Sequence, residues 1–202
     1  EKKLKVVPLG VEPFDVEPSR PAALRAAWGL TGPFVLWVGT IEPRKNLQTL
    51  LKAMERIPEI PLVIVGPIGW AFDQLAIPRK FEKQIHLVGP VGEAEKHAWY
   101  AAADVFCYPS LLEGFGLPVA EAMVQGTPVV TSVGTATEEV AGDAALVVDP
   151  EDPSAIAQSI ESLLSDQDLC LRLADAGRKR ASELTWKAAA NSTEDAYREV
   201  LG

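Results

Sequence analysis

Asp104-Val105-Phe106-Cys107-Tyr108-Pro109-Ser110-Leu111-Leu112-Glu113-Gly114-Phe115-Gly116-Leu117-Pro118-Val119-Ala120-Glu121-Ala122 reads as a strand, a tight turn and a helix in immediate succession. Val105 to Tyr108 is a continuous apolar run, the pattern of a strand covered on both faces, and Pro109 ends it. Leu117 to Gln125 predicts a helix with Pro118 in its first turn, where the missing N–H costs nothing. Between them, Gly114 and Gly116 let the chain turn closely and expose backbone donors beside a helix start, a nest suited to a diphosphate. Glu113 precedes the turn, and Glu121 lies inside the helix among Val119, Ala120 and Ala122. A carboxylate among apolar neighbours needs donors or exposure, and sugar hydroxyls are suitable donors. On the residues alone, Glu113 also reads as a helix-capping group and Glu121 as a solvated helix position.

Working outward, the same strand–helix alternation recurs. Phe34 to Val38 ends at Gly39, Leu62 to Val65 at Gly66, and Ile85 to Val88 at Gly89; Pro128 to Thr131 and Ala144 to Val148 complete the set. Leu47, Leu50, Leu51, Met54 and Ile57 recur at helical spacing, with Asn46 placed as an N-cap. Glu93 to Ala103, Pro153 to Leu164, Gln167 to Leu184 and Trp186 to Leu201 are further helices. Thr131 and Ser132 end a strand; Thr135 or Thr137 is positioned to cap the next helix, with Glu138 as its first-turn acid. This order predicts an α/β fold: a Rossmann-like, open, mainly parallel sheet with helices on both faces. Ligands of such sheets bind at the carboxyl ends of the strands, where Gly39, Gly66 and Gly89 fall. Lys5 to Val11 predicts a short strand, and Pro13, Pro18 and Pro21 break the pattern beyond it. Residues 1–21 therefore read as a linker with a lead-in strand, and 22–202 as the domain.

The chain has 202 residues, 48% of them apolar and 23% charged, an ordinary globular profile. No apolar run is long enough for a spanning helix, and Glu1-Lys2-Lys3-Leu4-Lys5 is not followed by a signal-like apolar region. The expected location is cytoplasmic or peripheral at a membrane. A net charge of −9 argues against a nucleic-acid partner. Cys107 and Cys170 have no metal-like spacing and read as free thiols; His86 and His97 are isolated, so no metal site is expected.

A second cluster, Gly39-Thr40-Ile41-Glu42-Pro43-Arg44-Lys45-Asn46, follows a buried strand and enters a helix. Arg44 and Lys45 lie beside a helix N-terminus, where the dipole disfavours cations. An anion contacting both would explain the pair; a solvated surface pair explains it equally well. The chain has no GxxxxGK[ST] loop and no suitably placed GxGxxG, which removes the main support for kinase and dinucleotide-dehydrogenase readings.

Together these motifs resemble the C-terminal domain of family 4 glycosyltransferases (glycosyl transferases group 1), retaining enzymes of the two-domain GT-B fold. The resemblance is carried by Glu113 and Glu121 within Glu-Gly-Phe-Gly-Leu-Pro-Val-Ala-Glu-Ala-Met. It is extended by Ala103-Asp104-Val105-Phe106, Gly126-Thr127-Pro128-Val129-Val130, Val38 to Asn46, Val147-Asp149-Pro150 and the helix from Pro153. It implies the C-terminal half of a GT-B fold, without the N-terminal acceptor domain. It also implies that Glu113 contacts the donor sugar, Glu121 the ribose, and the amides of Gly114, Phe115, Gly116 and Leu117 the sugar and diphosphate. Lys45 would neutralise the diphosphate and, with Arg44, stabilise it as a leaving group. Many members carry arginine where this chain has Thr40, and Arg44 is the candidate replacement. The Gly89 to Gly92 loop resembles the base-binding loop, without a side chain that identifies the base.

The implied reaction is hexosyl transfer with retention, from GDP-mannose or a UDP- or ADP-sugar to a glycan, lipid-linked or small-molecule acceptor, as in polysaccharide biosynthesis. It needs no obligatory cofactor or metal, and this half alone is expected to be inactive. The alternatives are a GT-B epimerase, a phosphorylase-like enzyme, and a catalytically silent nucleotide-sugar-binding domain.

Overall fold

The computed structural model describes residues 4–69, 81 and 84–201; Glu1 to Lys3 of the lead-in lie outside this set. The strands are β1 (Val35–Val38), β2 (Leu62–Val65), β3 (Ile85–Gly89), β4 (Val105–Tyr108), β5 (Val129–Ser132) and β6 (Ala145–Val148). They form one sheet in the order β3-β2-β1-β4-β5-β6, every pair parallel. All four residues of β1, β2, β4 and β5 are buried, which is why β1, β2 and β4 read as unbroken apolar runs, while β5 ends on the buried Thr131 and Ser132.

The helices are α1 (Arg20–Ala27), α2 (Leu47–Met54), α3 (Glu93–Ala102), α4 (Leu117–Gln125), α5 (Ala136–Ala141), α6 (Pro153–Ser165), α7 (Gln167–Glu183) and α8 (Trp186–Leu201). The chain steps from β1 to β2 in one direction and from β4 to β5 in the other. Right-handed crossovers then put α2 and α4 on opposite faces of the sheet. The packing agrees: α2 lies against α6, whereas α4 lies against α3 and α7, and α3 against α1. The reversal between β1 and β4 opens a crevice at their carboxyl ends, which is where this topology accepts a ligand.

Three local expectations are corrected. Lys5 to Val11 forms no strand: none of the six strands pairs with it, and the segment runs instead along the C-terminal helices. The Val11 amide donates to the Leu184 carbonyl (2.8 Å), Gly10 abuts the Thr185–Trp186 backbone, and Lys5 pairs with Glu199. Pro21 does not end an irregular stretch but lies in the first turn of α1, a position proline tolerates. Asn46 occupies the N-cap position of α2 without capping it. Its backbone is left-handed (φ 54°), and its amide nitrogen donates across the strand ends to the carbonyls of Pro109 (2.9 Å) and Pro150 (2.7 Å). The Thr135 cap does form, by accepting from the Thr137 amide, and Glu138 accepts from the Gly134 amide.

Candidate functional site

The loops after β1 and β4 are tied together at the crevice. The Leu111 amide and the Ser110 hydroxyl both donate to the Arg44 carbonyl (2.8 and 3.0 Å), and the Asn46 side chain holds the Pro109 carbonyl. A short 3-10 turn, Pro43–Lys45, carries the two cations. The turns after β1 and β2 also interlock. Gly66 has φ 137°, and a Cβ there would collide with the Gly39 carbonyl, so no other residue fits that approach.

Two cavities lie at this edge. The smaller, about 370 Å³, is bounded by the strand-end turns (Gly39, Thr40, Gly66), by Pro90 and Val91, and by Lys96 and Glu121. The larger, about 690 Å³, is bounded by Tyr108, Glu113, the Gly114–Pro118 turn, the lead-in residues Val6 to Leu9 and parts of α5 and α7. Lys45, Leu117 and Pro118 line both, so the cavities adjoin around one buried ammonium and one helix start. At that start Gly116 takes the N-cap place with φ 103° and offers no side-chain cap. The amides of Gly114, Phe115, Gly116 and Leu117 find no acceptor among the described residues, and helix-start donors of this kind suit an anion.

Glu113 is held from three sides. Its Oε1 accepts from the Tyr108 hydroxyl (2.7 Å) and the Ser110 hydroxyl (3.2 Å), and its Oε2 from Arg44 Nη1 (2.9 Å). Arg44 also pairs with Glu42 at 2.6 Å and lines neither cavity. Burial alone would lower the pKa of this guanidinium, but Glu113 and then Glu42 outweigh it and hold the value above normal. Burial, with the Glu113 carboxylate adding to it, pushes the Tyr108 phenol far above its ordinary value. Lys45 behaves differently: burial depresses its pKa, and Glu113 and Glu42 offset that only in part. A buried ammonium so weakly compensated is ready to accept an anionic partner.

Glu121, about one turn into α4, accepts from Lys96 Nζ on Oε1 (2.8 Å) and from the Tyr100 hydroxyl on Oε2 (2.9 Å). Both donors come from α3, four residues apart and therefore on one helix face. Burial opposes the Lys96 charge, but its bonds to Glu121 and Glu93 prevail and raise its pKa. The Tyr100 phenol is raised by burial first and then by Glu121.

His97 is not isolated in space. It stacks on Phe14, and its ring nitrogen lies with Glu93 and Glu121 oxygens in a group spanning no more than 4.8 Å. Lys96 Nζ already bridges the two carboxylates of that group at 2.8 Å each, which supplies the positive charge a metal ion would bring. Cys107 is a buried free thiol whose pKa burial raises, and Cys170 is also unpaired.

The structure thus brings Gly39, Thr40, Gly66, Lys45, Leu117 and Glu121 to one cavity, and Lys45, Glu113, Gly114, Phe115, Gly116 and Leu117 to the other. Gly89 lines neither, although its neighbours Pro90 and Val91 line the smaller. Sequence reasoning assigned no role to Lys96, Tyr100 or Tyr108. The i,i+4 spacing of Lys96 and Tyr100 was the available signal for two of them.

Residues 24–180 match the family described as glycosyl transferases group 1. Among curated relatives, the O-antigen chain mannosyltransferase B of Escherichia coli is 41% identical over 174 residues, covering 82% of this chain and 45% of that protein. Among solved structures, sucrose-phosphate synthase from Thermosynechococcus elongatus superposes with a TM-score of 0.85 at 29% identity, covering 98% of this chain and 52% of that one. Anabaena HepE in complex with UDP and glucose gives 0.84 at 21% identity, covering 98% and 56%, a likeness of fold. The chain therefore spans about half the length of the proteins it matches. No helix among the described residues is long and apolar enough to cross a membrane.

Proposed function

The chain belongs to the glycosyl transferases group 1 family, and from that premise we propose that it is the donor-binding half of a retaining hexosyltransferase. The single observation that carries this reading is the pair of cavities adjoining at Lys45: a carboxylate stands in each, and one helix start serves both. A nucleotide sugar has the same layout. Its nucleoside fills the smaller cavity, with the ribose at Glu121 and the base against Gly66, Pro90 and Val91. Its diphosphate meets Lys45 and the open amides of Gly116 and Leu117. Its sugar enters the larger cavity beside Glu113 and the Gly114–Phe115 turn.

The chemistry follows from that placement. As the bond between sugar and diphosphate breaks, negative charge grows on the leaving group, next to a buried ammonium and fixed backbone dipoles. Glu113 accepts a sugar hydroxyl and fixes the orientation of the reacting carbon. Arg44 keeps Glu113 in place, and because it lines neither cavity its side chain has to move to touch the diphosphate. The acceptor attacks from the face the leaving group departs, which retains configuration. The acceptor is held by a partner domain preceding residues 1–21, and it is a glycan, a lipid-linked sugar or a small molecule. A relative named as a mannosyltransferase and a neighbour of like fold holding UDP support a nucleotide-sugar donor, with GDP-mannose and UDP- or ADP-sugars as the candidates.

Calorimetric titration of the chain with UDP-, GDP- and ADP-sugars tests the reading. One base series should bind, with equal affinity in chelator and in magnesium, because Lys45 and the amides neutralise the diphosphate. Failure of all three series to bind would remove the donor assignment. A requirement for the metal would remove the metal-independent mechanism.

A further inference from the structure

We infer that Lys96 is a positioning residue that, together with Tyr100, sets Glu121 to receive a vicinal diol and so to select ribose over deoxyribose. The inference rests on the donor-pocket reading above and adds to it a residue outside the loops that built that site. A carboxylate offers about four acceptor positions, two on each oxygen. At Glu121 one position on each oxygen is filled by the protein: Oε1 by Lys96 and Oε2 by Tyr100. One position on each oxygen is left, and Glu121 lines the smaller cavity. Two hydroxyls on adjacent carbons match two acceptors on one carboxylate; a single hydroxyl leaves one of them unmet.

The arrangement is fixed rather than incidental. Tyr100 is fully buried, and the side chains of Lys96 and Glu121 are only 18% and 16% exposed. Glu93 anchors Lys96 from its solvent side at 2.8 Å. Without Lys96 the carboxylate would lack its charged partner and keep only the Tyr100 bond, free to pivot about it and lose register with the diol. Lys96 also lines the cavity, so its charge could instead act directly on the diphosphate. The two roles differ in what they do to a ligand with the diphosphate but without the 2′-hydroxyl.

The test is titration calorimetry with UDP and GDP and their 2′-deoxy counterparts, on the unaltered chain and on Lys96→Met. The unaltered chain should prefer the ribo form. Lys96→Met should weaken the ribo form about tenfold, the scale of one charged hydrogen bond, and the deoxy form less than about twofold, so that the preference collapses. Equal weakening of both forms assigns Lys96 to the diphosphate and overturns the inference while leaving the donor pocket intact. Equal binding of ribo and deoxy forms by the unaltered chain also overturns it alone. No binding of any diphosphate overturns the donor pocket and this inference together. Should Lys96→Met fail to fold, Tyr100→Phe removes only a hydroxyl and should reduce the same preference by a smaller factor; an unchanged preference counts against the inference.

Discussion

Glu113 and Glu121 stand on either side of the same helix start, and the protein holds them in opposite ways. Glu113 sits on a loop and receives three donors, one from the end of β4, one from the loop that follows β4 and one from the loop after β1. Glu121 sits inside α4 and receives two, both from the neighbouring helix α3. By the same count of acceptor positions, Glu113 keeps one open and Glu121 keeps two. On the proposed donor placement, the first fixes one contact with the sugar and the second grips the ribose diol. A pair of carboxylates that looks symmetrical in the sequence is therefore divided by its surroundings.

Lys45 joins the two halves of this comparison, and its removal should have the largest effect. Lys45→Ala should weaken nucleoside diphosphate binding by about 2–5 kcal/mol, as expected for truncating one partner of a buried charge pair. Binding of the bare nucleoside should be nearly unchanged, and equal loss for both ligands would dissolve the link between the cavities. The same residue fixes a pH dependence. Its pKa lies below the ordinary lysine value of 10.5 because of burial, and a bound diphosphate favours the ammonium. Binding therefore takes up a proton once the free lysine begins to lose it, and affinity should fall as pH rises through that depressed pKa. The decline should begin below the pH at which an exposed lysine titrates, and Lys45→Ala should flatten it. Affinity that rises with pH would contradict the assignment.

The carboxylates themselves come next. Glu121→Gln should weaken the bare diphosphate and the nucleotide sugar alike, by about 1.5–3 kcal/mol. Glu113→Gln should weaken the nucleotide sugar by a similar amount and spare the bare diphosphate. A two-by-two set of dissociation constants decides, and if Glu113→Gln costs both ligands equally the division of roles is wrong. The smallest effect belongs to Tyr108→Phe, which removes one neutral donor from Glu113. It should cost the nucleotide sugar about 1 kcal/mol and the bare diphosphate nothing measurable. A loss on the bare diphosphate would mean that Tyr108 supports the helix start rather than Glu113.

The sheet was legible because its four inner strands are buried on both faces and are therefore largely apolar, while the partly buried edge strands β3 and β6 are still mostly apolar; β4 was read to its terminal residues. The segment Lys5 to Val11 has similar residues but packs on helices, and composition does not distinguish a ladder partner from a helix surface. Proline misled in the same manner at α1, where Pro21 starts a helix instead of interrupting one. At the site, Glu113, Glu121 and Lys45 stood out because each breaks its local pattern. Tyr100 and Tyr108 did not, since a tyrosine whose ring is in the core looks apolar until its hydroxyl finds a carboxylate. The Glu93–His97–Glu121 group was invisible because its members come from two helices that meet only in the fold. Asn46 was placed at its helix start but not on its two distant carbonyls, which local sequence does not encode.

The glycines of the crevice divide it into parts that can and cannot be rewritten. At Gly66 the backbone of the adjoining turn leaves no volume for a side chain, so a mutational library there would return mostly damaged protein. At Gly114 a Cβ would meet nothing within 4 Å, although the residue lines the larger cavity. Side chains added at that one position would project into free volume without disturbing the nucleoside end. If the larger cavity takes the sugar as proposed, Gly114 is the position where an added side chain would reshape it at least cost to the fold.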